Sequence, residues 1–244
     1  MGRVLRYTRR NPPLAVGATL LLILLLFCIV GPFFIDTSNA DPLSVEANQP
    51  PSAQHLLGTD RQGREIMAVM VAGTPLTLRI GVIAGLLGVG IGSLLAFVAA
   101  YYGGWVDNVI RSAVDIGLTI PGLLVLIIIA VSLKQGLTVE QMALVVASLA
   151  WLHPARTIRS QVLTMRERAW VQVARLSGMS GPEIIFKELV PNLLPYLAAA
   201  LVGAVSGAVL ATIGLEALGL GPMDSPTLGM TIYWTIYYSA LLHG

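Results

Sequence analysis

The residues best placed to do chemistry lie in one polar, basic run, "ERAWVQVARLSGMSGPEIIFKELVPNLLP", from Glu167 to Pro195. Elsewhere the patterns that would mark an enzyme are missing. No stretch reads G-x-x-x-x-G-K-[ST], so nothing in the chain would cradle a nucleoside triphosphate, and no G-x-S-x-G nucleophile turn occurs. His55, His153 and His243 fall in separate segments with neither H-E-x-x-H nor a Cys/Glu cluster beside them. A zinc site needs three or four such ligands at short spacing, so no metal site is expected. What remains is the chemistry of binding, a charged surface that a partner could grip.

That run has its own local grammar. Gly178 stands where a first helix would stop in a left-handed conformation, and Ser180-x-x-Glu183 is a capping box that starts a second. Pro191 is expected to end that second helix. Met165, Ala169, Val173 and Leu176 keep helical spacing, although Arg168, Gln172 and Arg175 crowd the same stripe. Placing the six basic residues between Arg156 and Lys187 at mid-membrane would cost on the order of 15 to 20 kcal/mol, so the segment must lie outside the bilayer. A plain solvated linker is the bland alternative. Linkers are usually short, and about 35 residues with their own caps read better as a docking element.

The elements that must position this segment are greasy. The chain has 244 residues, 55% hydrophobic and 11% charged, with a mean hydropathy of +0.78. Soluble domains carry roughly 25% charged residues, so this is a membrane protein. Five apolar windows approach the about 20 residues needed to span hydrocarbon: Leu14 to Ile35, Leu76 to Tyr101, Ser112 to Leu133, Val139 to Leu152 and Pro191 to Leu215. The fourth is short and would lean on Trp151 and His153 at the interface. The windows are continuous and lack the strict alternation of barrel strands, so helices are the better reading than a β-barrel and an all-α bundle is expected.

Basic residues are divided by membrane side. Arg3, Arg6, Arg9, Arg10, Arg111, Arg156, Arg159, Arg166, Arg168, Arg175 and Lys187 fall on one side, against Arg61, Arg64, Lys134 and Arg79 on the other. The positive-inside rule places the N-terminus and the docking segment in the cytoplasm. With a net charge of +2 and no single basic patch, a nucleic-acid partner is not expected. Cys28 is the lone cysteine, so no intrachain disulfide can form. A cleaved signal peptide ending at Ser38-Asn39-Ala40 is the weaker reading, because the run from Leu14 exceeds the usual h-region of about 7 to 15 residues.

Several smaller features fill in the organisation. Asp36 to Pro75 reads as a long external loop, in which Gly58-Thr59-Asp60 is a turn whose Asp or Thr oxygen would cap the following helix. Gly81, Gly85, Gly88 and Gly92 in the second window, with Gly203 and Gly207 in the fifth, mark close helix approach; static packing is preferred over sliding or subunit contact. Asp115 is an acid near a span end, and the simplest account is an ion pair with Arg111 four residues earlier. Pro121 should kink the third window. The aromatics Tyr233, Trp234, Tyr237 and Tyr238 predict an external interfacial or re-entrant helix after the fifth.

These residues carry a resemblance. The basic run resembles the EAA loop of ATP-binding-cassette importer permeases, E-A-A-x-x-x-G followed after nine residues by I-x-L-P. Gln172, Val173 and Ala174 stand at the E-A-A positions, Gly178 at the glycine and Pro191 at the proline, while Glu188 and Val190 depart from the pattern. "GTDRQGRE" before the second window, with Gly58, Thr59, Asp60, Gly63 and Arg64, and "LGLG" after the fifth resemble the dipeptide, oligopeptide and nickel branch.

The resemblance implies a polytopic bundle of the type I importer kind, divided into an N-terminal tail, first span and external loop over 1–75 and a permease core over 76–244 with its coupling loop at about 155–190. It further implies a second homologous permease, two ATPase subunits, an extracytoplasmic binding protein and a prokaryotic inner membrane. ATP and Mg would sit in the ATPases, with no cofactor on this chain, which would be a transport subunit and not an enzyme. Leu176 to Lys187 would form the coupling helix and its approach, with Gly178 as hinge, Arg175 and Glu183 as polar contacts, and Gln172, Ala174, Ser180, Lys187 and Pro191 completing the ATPase-facing set. Cargo is expected to be di- or oligopeptide, with nickel or oligosaccharide as alternatives in the same branch. An ion-coupled carrier is the alternative from another class, for which Asp115 and Glu216 are the candidate acids and no inverted repeat is visible. The branch carries a sixth span after the aromatic segment. This sequence stops at Gly244, so a five-span chain with an external C-terminus is expected.

Overall fold

A computed structural model describes residues 11–133 and 136–237. The basic tail Arg3, Arg6, Arg9 and Arg10, together with Lys134, Tyr238 and His243, lies outside the described residues. The helices are α1 (Pro12–Phe34), α2 (Ile66–Tyr102), α3 (Gly104–Thr119), α4 (Gly122–Ser132), α5 (Val139–Ala150), α6 (Leu152–Arg166), α7 (Ala169–Leu176), α8 (Gly181–Ala217) and α9 (Leu228–Tyr237). Among the described residues the only β pairing is an isolated bridge between Thr59 and Glu65. Two compact units result, the described residues of Met1–Leu76 with Pro226–Gly244, and Thr77–Ser225.

In the first unit α1 is apolar on every side, buries none of its residues and starts on the prolines its first turn tolerates. That is the surface of a helix meant for lipid. Gly31 lets α2 come close, since a Cβ there would stand 2.9 Å from Val71. The loop after α1 ends sooner than the sequence reading placed it. Ile66 to Pro75 is already helical, and α2 runs 37 residues, about 55 Å at 1.5 Å per residue.

In the second unit the third apolar window is two helices. α3 and α4 meet at 86° where Ile120 is extended before Pro121, so the expected proline kink is a full break. Among the described residues α1, α2 and α8 are each long and apolar enough to cross a membrane, and α3 with α4 would make a fourth crossing if counted as one span. α5, over the fourth window, has 12 residues. Five separate spanning helices are therefore not what length and composition give.

Pro191 does not end the helix it was expected to end. The chain passes from the turn Gly181–Glu183 through a π-helical stretch, Ile184–Leu189, into Val190–Ala217 without leaving the helical path. The wider coil accounts for this. Val190 N–H reaches back five residues to Ile185, so Pro191, which has no N–H and would crowd a normal turn, follows directly on a coil already opened.

The glycines of α2 pack as expected. A Cβ on Gly81 or Gly85 would strike Val209 or Val205 of α8, and one on Gly88 or Gly92 would meet Ala150 or Trp151 and Pro154 at 2.7 to 2.8 Å. Gly203 and Gly207 differ, with no atom within 4 Å of such a Cβ. They open onto a groove.

Candidate functional site

The segment from Glu167 to Pro195 folds as an elbow whose two caps were legible in sequence. α7 ends at Leu176 with Ser177 as its C-cap, and Gly178 adopts φ +84°. The Met179 N–H donates to the Ala174 carbonyl and the Gly178 N–H to that of Arg175, the two bonds of a Schellman ending. Immediately beyond, the Ser180 N–H and hydroxyl both donate to Glu183 Oε2 at 3.0 Å, and Lys187 Nζ pairs with Glu183 Oε1 at 3.1 Å. Ser180, Glu183 and Lys187 thus form one local network that fixes where α8 begins.

The apolar stripe proposed from sequence is not the buried one. Arg168 is extended and caps α7, so Met165 and Ala169 belong to different helices and the helical phase restarts between them. The face that packs is Val171 and Ala174, which join Ala96, Phe97 and Ala100 of α2, Ile158 and Val162 of α6, and Ile184, Ile185 and Leu189 of α8 in one buried cluster. Removing a Val, Ile, Leu or Phe side chain from water contributes about 1.5–3 kcal/mol, and the alanines less, so the elbow is seated firmly. Val173 and Leu176 point outward instead, Leu176 at 88% exposure, with Phe186 of α8 exposed as well. Gln172, Arg175, Lys187 and Pro191 are exposed around them.

Three arginines tie the elbow and its approach to the α2–α3 corner. Gly103 and Gly104 turn that corner with φ of +67° and +57°, conformations that side chains disfavour. Arg166 Nη1 donates to the Ala100 carbonyl at 2.5 Å and its Nε to Glu167 at 2.9 Å. The Arg175 guanidinium lies 5.2 Å above the Tyr101 ring, within cation–π range. Gly181 accommodates the same ring, since a Cβ there would stand 2.9 Å from Tyr101.

Arg159 and Asp107 form the third tie, a two-pronged pair at 2.5 Å on each prong. Asp107 lies in the first turn of α3, ahead of the apolar window that opens at Ser112, and the hydrogen bonds from Arg159 hold its carboxyl below the usual carboxylate range, against desolvation. The same bonds push Arg159 upward. Sequence reasoning missed this pair. Its signal was Asp107, Arg111 and Asp115 at four-residue intervals, three charges on one helix face. The expected Arg111–Asp115 pair is present at 3.5 Å.

In the first unit "GTDRQGRE" forms a compact loop. Asp60 Oδ1 accepts from the Gln62 and Arg64 N–H groups, and Oδ2 pairs with Arg64 Nε at 2.8 Å and its terminal nitrogen at 2.7 Å. The Thr59 hydroxyl accepts from the Gln49 N–H at 2.8 Å and donates to the Glu46 carbonyl at 2.6 Å. These oxygens are engaged within the loop, and α2 begins six residues after Asp60, so the expected capping of the next helix does not occur. Gly58 and Gly63 both have positive φ and press against backbone. Arg64 and Glu65 are buried, and Glu65 accepts from Asn39 Nδ2 at 3.2 Å.

The second unit also holds a groove of about 880 Å³ between α8 and the α4–α6 segment. Ala200, Gly203, Ala204, Gly207 and Ala211 form its floor, and His153, Thr157 and Tyr196 are its principal polar-bearing side chains. It suits an apolar helix or an extended, weakly polar cargo better than an ion. Among the described residues no three His, Cys, Asp or Glu side chains stand close enough to hold a metal.

Residues 88–241 match the family described as binding-protein-dependent transport system inner membrane component, and residues 1–51 match the N-terminal TM domain of oligopeptide transport permease C. Similar proteins include the dipeptide transport system permease protein DppC of Alkalihalophilus pseudofirmus, 32% identical over 94% of this chain and 79% of the relative. The oligopeptide transport system permease protein OppC of Mycobacterium tuberculosis is 30% identical over 89% of this chain and 75% of its own length. The dipeptide transport system permease protein DppC of Haemophilus influenzae is 29% identical over 91% and 77%.

Proposed function

Because this chain belongs to the family of binding-protein-dependent transport system inner membrane components, we propose that it is one permease of an ATP-driven importer of di- or oligopeptides. In this reading it pairs with a second permease and carries two ATPase subunits that hold ATP and Mg, while an extracytoplasmic binding protein delivers the cargo. The peptide assignment rests on what the relatives are named for. The N-terminus lies in the cytoplasm in this reading, supported by the division of arginines between the two sides.

The observation that carries the coupling role is the elbow itself. A short, doubly capped segment presents Val173, Leu176 and Phe186 outward while its other face is sealed onto α2, α6 and α8. Exposed apolar residues ringed by Gln172, Arg175, Glu183 and Lys187 suit a groove on a soluble partner. Closure of the ATPase pair on ATP would push the elbow, and the ties at Arg166, Arg175 and Arg159 would pass the displacement to the α2–α3 corner. The bias comes from the different affinity of ATP for open and closed ATPases, and this chain transmits it. The α8 groove then serves as a stretch of the shared path, its small residues leaving room for peptide or for a helix of the second permease.

The test is to purify the chain from membranes of cells expressing its neighbouring genes and measure uptake of labelled dipeptide in vesicles. Co-purified ATPases and uptake that stops without ATP are expected. Uptake by the chain alone, driven by a proton gradient in ATP-depleted vesicles, would replace this reading with the ion-coupled carrier.

A further inference from the structure

We propose that the pocket between α3 and α6 binds the phosphodiester headgroup of an anionic phospholipid, gripped by Arg156, Arg111 and Ser160. The pocket has a volume of about 260 Å³ and is walled by Ile110 and Val114 on one side and by Ala155, Arg156, Arg159 and Ser160 on the other, with Arg111 and Asp115 at its edge.

Its charges are unequally spent. Arg159 is taken up by both oxygens of Asp107, and Arg111 reaches Asp115 at 3.5 Å with both side chains largely exposed. The Arg156 side chain is exposed and, among the described residues, makes no hydrogen bond or ion pair, and Ser160 follows it by one helical turn on the same face. Three guanidinium groups against the carboxylates of Asp107 and Asp115 leave one positive charge uncompensated. A phosphodiester supplies one negative charge and accepts from the planar donors of arginine.

The geometry places this pocket at lipid headgroup depth. α4 is apolar from Gly122 to Val131, and α3 turns away from it by 86°. If α4 points along the bilayer normal, α3 lies nearly in the plane of the surface. One face of α3, Ile110, Val114 and Leu118, packs on Leu152 and Ala155 of α6. Another exposes Trp105, Val109 and Ile116, spaced four and seven residues apart, with Trp105 at 78% exposure. An amphipathic helix with an outward tryptophan is the signature of an interfacial segment, whose apolar side chains sink below the headgroups. The charged pocket beside that face then meets phosphate.

The test titrates the full-length chain in detergent with dioleoylphosphatidylglycerol or dioleoylphosphatidylcholine and counts bound lipid by native mass spectrometry. One phosphatidylglycerol is expected to bind about tenfold tighter than phosphatidylcholine, a preference that Arg156→Gln abolishes and Arg156→Lys largely keeps. Arg79→Gln, at the Arg79–Glu140 pair outside the pocket, should leave it unchanged. Equal binding of the two lipids, or an unaltered preference in Arg156→Gln, overturns the proposal. Displacement of phosphatidylglycerol by millimolar inorganic phosphate would assign the pocket to a soluble anion and overturn the lipid. Should Arg156→Gln fail to fold, hydrogen exchange on the unaltered protein decides. Phosphatidylglycerol must slow exchange across 152–160 where phosphatidylcholine does not, and equal exchange rejects the site.

Discussion

Asp107 of α3 and Arg159 of α6 are 52 residues apart in sequence and meet in a two-pronged pair, with Arg159 Nε and a terminal nitrogen each on a different carboxylate oxygen. Their side chains are about a fifth exposed or less. Removing one partner leaves the other's charge partly desolvated. Asp107→Asn or Arg159→Ala should therefore cost about 1–3 kcal/mol, below the value for a fully buried pair. Arg159→Lys loses the fork and should recover only part of it. Thermal unfolding in detergent measures all three.

The same pair sets a pH dependence. The Asp107 carboxyl is held below its ordinary value by Arg159, so its contribution to stability is complete above the ordinary carboxylate range and disappears as pH falls through the lowered value. The unaltered protein should lose stability toward acid more steeply than Asp107→Asn. Identical acid profiles would show that the pair adds nothing.

Gly178 has φ +84°, and no atom lies near its missing side chain, so a substitution there is penalised by backbone strain alone. Gly178→Ala should cost about 1 kcal/mol. Gly178→Pro and Arg175→Glu should abolish uptake while leaving the amount of protein in the membrane unchanged. Unchanged uptake in both would remove the elbow from the coupling path.

Gly85 and Gly203 separate packing from open space. A Cβ on Gly85 would lie 2.6 Å from the Val205 side chain and 2.9 Å from its backbone nitrogen, whereas Gly203 has nothing within 4 Å. Gly85→Val should destabilise by about 1–3 kcal/mol through overpacking, and Gly203→Ala should leave the melting temperature nearly unchanged. The second variant reports on the groove through uptake.

Arg64 is 4% exposed and bound twice by Asp60. Arg64→Ala leaves the half-buried Asp60 carboxylate without its fork and should loosen the loop by about 1–2 kcal/mol, read as faster proteolysis between α1 and α2.

The sequence by itself determined what short-range rules govern. Apolar runs set the all-α membrane class, Gly178 and the Ser180–Glu183 box fixed the ends of the elbow, and Arg111 found Asp115 one turn away, because each depends on neighbours within about five residues. Tertiary structure decided the rest. Arg159 meets Asp107, Arg166 meets the Ala100 carbonyl and Arg175 covers Tyr101 only after α2, α3, α6 and α7 are brought together. Which face of α7 is buried depended on the phase break at Arg168, and the continuity of α8 through Pro191 depended on a π-helical stretch that proline alone does not announce. Local spacing records which residues lie on a common face; it does not record which distant helix that face will meet.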